Sequence, residues 1–365
     1  MSKFCVFCGG NPDNKNKEHI IPKWLIKLTG DENRIISLGL NFNDLFENNT
    51  VDFKNRLFSF KSFQFPACTT CNSKYSEFEN KTSKIFKKIL NNEYIDAYEI
   101  DLLLDWFDKL RIGLWLGSLT LDKIKEDVNP KFFIDNRIGK KDRALYVYKL
   151  NDDKNNGINF HGFNTPGFQF APCVLGFRVN NYFFINYSKE FLLSKNLGFP
   201  YFEHDGFDDN SRGEFYRPFK GSNRLVTPVL KTIFHKPTIA FFQSILDLNM
   251  IPEDFKNDYV CDNLLIENVG RTKIYYYDSY EKKINQLGND EEIILDGIII
   301  NATLEKFNKT ITKNVIEEIE RLLHFNHHLK IEDNEKSKII ENNRKFVLKF
   351  HQSVKKITYE LMENQ

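Results

Sequence analysis

The stretch KEHIIPKWL, residues 17–25, sets an acid, Glu18, beside a histidine, His19, with two β-branched residues and Pro22 behind them. It lies between two Cys-x-x-Cys pairs, CVFC (Cys5 and Cys8) and CTTC (Cys68 and Cys71). A histidine near its ordinary pKa can take a proton from water, and a carboxylate can hold a hard cation. Two cysteines separated by two residues in a tight turn reach one tetrahedral ion, and a second such turn completes the shell. Four thiolates leave zinc no open position, so the ion they imply is structural. Gly9 and Gly10 suit the first turn because glycine accepts positive φ. Unrelated or redox pairs are the alternative, which the placing of both pairs around one compact segment disfavours. Cys173 and Cys261 stand in apolar surroundings and read as core thiols.

Asn72 directly follows the second pair. The combination C-x2-C…EHIIP…C-x2-C-N resembles the HNH endonuclease family over roughly residues 1–90. The resemblance implies a ββα-metal, treble-clef-like zinc module that hydrolyses nucleic-acid phosphodiester bonds, with double-stranded DNA the expected substrate. It implies His19 as general base, Glu18 and Asn72 as ligands of a catalytic Mg2+ or Mn2+, and structural Zn2+ on the four cysteines. Carboxylate and amide oxygens suit such hard ions. Many members carry Asp where Glu18 stands. The family's central Asn, which orients the histidine, has no counterpart in SFKSFQFPAC, where Ser62 or Gln64 can accept an imidazole N–H instead. The other class of function open to these residues is a zinc knuckle that binds nucleic acid, or assembles with protein, without cutting.

The elements must place these groups. On a strand, Glu18 and His19 point to opposite faces. The segment after Asn72, through KTSKIFKKILNN, reads as a helix with Lys81, Lys84 and Lys88 on one face. That face suits phosphate contacts or is simply solvated. The polar stretch NFNDLFENNT, residues 41–50, reads as an inserted loop. Residues 96–124 are strongly apolar and helical, with Trp106 and Trp115 as core, and a polar linker follows near 126–130. From about 144 the period changes to strands: ALYVYKL, FQFAPCVLGFRV and YFFINYS, with Asn180-Asn181 as a turn, then KIYYYDSY and EIILDGIIINA. Residues 229–248 read as helical, and the chain closes on two amphipathic helices joined by IEDNEK. His324, His327 and His328, and the acidic HDGFDDN at 204–210, have metal-compatible spacing but read as a polar helix end and a solvated loop. The expected class is α+β: a zinc module over 1–92, a helical junction over 93–128, and a mixed α/β domain with terminal helices over 129–365, suited to target recognition or regulation.

Composition bounds the rest. A chain of 365 residues, 41% hydrophobic, is globular and long enough for about two domains. The net charge is +1, but residues 1–91 carry 14 Lys and Arg against 9 Asp and Glu, so the positive charge gathers where a polyanion is expected. No apolar run reaches the roughly 18 residues of a membrane span, and the N-terminus lacks a signal-peptide core. A cytoplasmic protein with reduced cysteines, away from membranes, is the expectation. A homo-oligomer or a partner protein of an anti-phage or restriction system is left open. No Walker-type phosphate loop is present.

Overall fold

The computed structural model describes residues 4–12, 16–30, 35–38, 56–59, 64–121, 133–151, 157–162, 168, 172–190, 192–207, 214–221, 237–249, 251–256, 258–266, 270–296, 299–300, 304–327, 348–349, 351–353, 355–356 and 359. The first part runs β1 (Lys17–His19), α1 (Lys23–Leu28), β2 (Ile35–Leu38), β3 (Arg56–Ser59), β4 (Gln64–Pro66), α2 (Thr69–Leu90), β5 (Tyr94–Asp96) and α3 (Ala97–Leu121). A 3-10 turn, Ile134–Asn136, leads into β6 (Asp142–Leu150), β7 (Ile158–His161), β8 (Val174–Val179), β9 (Tyr182–Lys189), β10 (Tyr201–Phe207), β11 (Glu214–Phe219) and β12 (Ile239–Gln243), and a second, Glu253–Phe255, comes after β12. There follow α4 (Asp258–Asp262), β13 (Leu264–Ile266), β14 (Arg271–Thr272), β15 (Tyr275–Asp278), β16 (Lys283–Gln286), β17 (Glu292–Ile294), β18 (Ile299–Ile300) and α5 (Leu304–His327). Helices and a many-stranded sheet together make the class α+β.

One sheet dominates, with order β16-β15-β12-β6-β9-β8-β7 and β18 added parallel to one end of β6. Strand alternation divides its side chains between two layers. Leu145, Val147, Phe177, Phe184 and Phe241 join α3 and the cysteine-bearing elements in one apolar cluster. Tyr146, Tyr148, Phe183, Ile185 and Phe242 join Phe307, Ile311 and Val315 of α5 in another. Buried on both faces, β6 is a near-continuous run of apolar and aromatic residues. Asn180, with φ of 51°, and Asn181 close the β8–β9 hairpin between paired Val179 and Tyr182. Asparagine tolerates that left-handed conformation, which is why the pair marks a turn.

The first cluster is continuous from Cys5 and Phe7 through α3 to the sheet. Trp106 and Trp115 are buried in it, as expected of core residues. Rings carry the packing: Trp24 lies 5.5 Å from Phe86, Phe86 4.9 Å from Trp106, and Phe107 5.3 Å from Phe184. Each such buried ring contributes roughly 1.5–3 kcal/mol relative to exposure.

Two expectations are corrected. Within 229–248, Ile239–Gln243 is a strand, paired with β6 on one side and β15 on the other. Its five residues are all buried, and β-branched and aromatic side chains suit a central strand, so burial on both faces hid the period of two. Cys261 lies on α4 and is exposed, whereas Cys173 is buried and its thiol is pushed up to about 11 by that burial. Residues 41–50, 126–130 and the IEDNEK turn lie outside the described residues. Among the described residues, no helix is long and apolar enough to cross a membrane.

Candidate metal centre and the polar site beside it

Cys5, Cys8, Cys68 and Cys71 converge, with all four Sγ atoms within 4.8 Å of one another. A tetrahedral zinc with Zn–S bonds of about 2.3 Å requires sulfurs about 3.8 Å apart. Cys8 and Cys68 stand at 3.8 Å, so the cluster fits that ion. Backbone amides already turn toward the sulfurs: Gly10 N–H donates to Cys8 Sγ and Cys71 N–H to Cys68 Sγ, both at 3.4 Å. The second of these holds the Cys68 thiol below its ordinary range, while burial pushes Cys71 up. A divalent cation supplies the charge that four crowded thiols need in order to ionise together.

The first turn is built by its neighbours. Cys5 N–H donates to Gly10 O at 2.7 Å and Gly9 N–H to Cys5 O at 2.9 Å. Gly9 has φ of +77°, and a Cβ there would sit 2.3 Å from the Phe133 ring, so only glycine fits. Val6 N–H reaches Pro66 O, and Ile134 and Asp135 N–H reach Val6 O and Phe7 O. The second turn is the start of α2, with Cys68 as its N-cap.

The same strands hold the acid and the histidine. β1 pairs antiparallel with β4, setting Glu18 opposite Phe65 and His19 opposite Gln64. The Gln64 amide and His19 Nε2 are 3.0 Å apart, within hydrogen-bond distance. Ser62 lies outside the described residues. Glu18 points the other way, as alternation requires, and its carboxylate is 3.5 Å from Lys109 Nζ on α3.

Lys109 and its partner Glu79 were not singled out in the sequence. The Lys109 side chain is 0% exposed and ion-paired to Glu79. Glu79 also accepts from Trp24 Nε1 at 2.8 Å and from Trp106 Nε1 at 3.0 Å. Lys109 Nζ lies 5.9 Å from the Phe7 ring centroid and 5.4 Å from that of Tyr75, and those two rings stack at 4.0 Å. The ammonium therefore ties the first metal turn, the Glu18 strand and both long helices together. Burial raises the Glu18 carboxyl above its ordinary range, against the opposing pull of Lys109 and with the added push of Glu79. The available signal was a charge pattern, Asp101, Asp105, Asp108 and Lys109, inside an otherwise apolar helix.

Asn72 opens α2, with its N–H on Cys68 O at 2.9 Å, but its side chain makes no hydrogen bond to a described residue. Among the described residues, the four cysteines are the sole group of three or more His, Cys, Asp or Glu gathered as metal ligands. A catalytic divalent ion fits this arrangement poorly: its expected carboxylate faces an ammonium, and the second ligand is not drawn to it. The lysines also stand apart. At 100° per residue, Lys81, Lys84 and Lys88 project from α2 about opposite to Glu79, away from Glu18. Lys81 pairs with Glu77 at 2.9 Å, and Lys88 with Glu99 at 2.6 Å. His324, His327 and residues 204–210 have no side chains among the described ones.

Deeper in, Asp101, Asp105 and Asp108 form one stripe of α3 against the sheet. Arg143 of β6 meets all three, at 2.8, 2.5 and 3.4 Å. Arg271 of β14 meets Asp101 and Asp105 at 3.0 and 2.8 Å, and Arg111 meets Asp108 at 2.9 Å. Three acids and three arginines make the network neutral. No family model, no curated protein and no solved structure matches the chain.

Proposed function

We propose that the protein is a nucleic-acid phosphodiesterase built on the HNH plan, with His19 as the group that takes the proton from the attacking water. One observation carries the reading: the strand bearing His19 pairs with the strand bearing Gln64, and the cysteine cluster closes on both. The Gln64 amide can either donate to a bare Nε2 or, turned over, accept from Nε2–H. Only the second form leaves a lone pair on Nδ1, and because that nitrogen is buried, substrate binding has to open the attacking water's path to it. The attacking oxygen then bonds to phosphorus as the bond to the departing 3′ oxygen breaks. Zinc on the four cysteines keeps this hairpin and α2 in register. A Mg2+ or Mn2+ ion has to compete with Lys109 for Glu18, so no step is assigned to it. Double-stranded DNA is the first substrate to test, and residues 129–365 are the candidates for target choice or restraint.

A second reading has its own support. Glu18 drawn toward Lys109 at 3.5 Å, and an Asn72 side chain with no hydrogen bond to a described residue, are what a zinc knuckle that binds without cutting would show. One experiment separates them: purified protein is incubated with plasmid and with single-stranded DNA and RNA in Mg2+, Mn2+ or EDTA, beside His19→Ala. Cleavage that His19→Ala loses, with zinc content and binding retained, supports the hydrolase. Binding without cleavage under every condition supports the knuckle.

A further inference from the structure

A cavity of about 550 Å3 opens between α2, α3, the 134–140 segment and Arg271, with Tyr75 in its lining. That volume lies within the range of roughly 300–1,000 Å3 typical of small-ligand sites. Tyr75, Phe78, Leu102 and Ile138 give it an apolar and aromatic wall, beside which stand Glu77 and the mutually paired Asp105 and Arg271. Its polar groups are ordered along α2. At one end Asp135 Oδ1 accepts from the Tyr75 hydroxyl and from Lys74 Nζ, while Asp135 Oδ2 accepts from no described residue. Seven residues further along the same face, about 10 Å by helix rise, stands Lys81. Lys81 is held mainly by Glu77, in a pair whose side chains are 46% and 72% exposed, with Tyr98 as a lesser partner. Surface pairs of that kind are weakly held, and an incoming anion can take the ammonium over. Lys140, also on the lining, is exposed and has no ion pair among the described residues.

An open carboxylate oxygen, a flat apolar slot and two available ammonium groups ask for a ligand of matching order. Inorganic phosphate satisfies the lysines and leaves the slot empty. A purely apolar ligand leaves Asp135 Oδ2 unanswered. A nucleotide satisfies all three, with base N–H groups on the carboxylate, the ring in the slot and the phosphate on the lysines. We propose that this cavity binds nucleotides, guanine nucleotides among them, with a base N–H donating to Asp135 Oδ2, the oxygen that Tyr75 and Lys74 leave open. The site does not depend on the cleavage proposed above. Through Tyr75, which also stacks on Phe7, its occupant touches the ring that backs both the cysteine turn and Lys109.

The test is isothermal titration calorimetry of the full zinc-loaded chain with GMP, guanosine, inorganic phosphate and a short G-containing single-stranded oligonucleotide. GMP is expected to bind in the micromolar range, guanosine and phosphate each at least about tenfold more weakly. Lys81→Glu and Lys140→Glu, both at exposed positions, should each weaken GMP about tenfold with an unchanged melting temperature. Leu102→Trp should fill the slot and abolish binding. An oligonucleotide that displaces GMP and shares these sensitivities assigns the cavity to a nucleotide within a strand; one that does neither assigns it to a free nucleotide. No heat from GMP up to about 1 mM, binding no tighter than phosphate alone, or indifference to both lysine reversals overturns the proposal.

Discussion

Glu18 and Lys109 decide how the candidate site behaves. The folded-state pKa of Glu18 is raised, with burial the largest cause. A carboxyl raised on folding contributes stability that is fully present below its unfolded value and is lost as pH rises through its folded value. Glu18→Gln, which imitates the protonated form, should therefore melt higher than the parent at pH 7, and the difference should vanish near pH 4. Thermal denaturation across that range checks the sign: a variant that melts lower at pH 7 would mean that the Lys109 pair outweighs desolvation. Lys109 is the more costly residue to remove. Lys109→Met leaves Glu79 buried with only two indole donors, and breaking a buried pair in this way costs about 3–5 kcal/mol. Chemical denaturation should show that loss, and Glu79→Gln in the same chain should recover part of it. An additive double mutant would show that the two do not act as a pair.

At the scale of elements, α2 separates two kinds of lysine. Lys81, Lys84 and Lys88 face away from Glu18, whereas Lys17 alternates onto the same strand face as His19, and Lys23 begins α1 beside it. A nucleic-acid strand cut at His19 should therefore run over Lys17 and Lys23. Replacing these two with Ala should flatten the salt dependence of nucleic-acid binding, by about one unit of log–log slope for each phosphate they neutralise. The triple change at 81, 84 and 88 should leave that slope unaltered. The reverse pattern, measured by fluorescence anisotropy over a salt series, would place the nucleic acid on the other face of α2. Element type was mostly legible because period and punctuation are local: α2 and α3 read as helices, and Asn180-Asn181 read as a turn. Convergence of the four cysteines was legible as well, since their spacing restricted the options, whereas for the histidine's partner the sequence offered Ser62 beside Gln64. The bridge from Glu79 to Lys109 spans two helices, and Asp105 meets Arg271 across 166 residues of sequence. Such partners share no local pattern, so only the folded chain reveals them. The 3.6-residue spacing of the lysines showed that they share a face but not which way that face turns.

For the whole molecule, the question is whether the cysteine-bound part melts by itself. Its turn packs Phe7 on Tyr75, Tyr75 and Phe7 border Lys109, and Phe86 lies 5.9 Å from Phe184 of the sheet in the same apolar cluster. On the other side of α3, Arg143 and Arg271 bind its aspartates to β6 and β14. Ion networks of this kind are orientation-specific: they place α3 in one register on the sheet, since any slip leaves buried charges unpaired. The ion at the cysteines and the sheet should therefore share one cooperative unit, although Cys5 and the β16 edge lie far apart in sequence. Removing zinc with a strong chelator should shift one calorimetric transition to lower temperature, because binding to the folded state adds stability to everything coupled to it. Cys68→Ser should do the same without chelator. If two transitions appear instead, with the lower one alone sensitive to zinc, the continuity of the core does not amount to cooperativity, and the first 90 or so residues fold as a separable module.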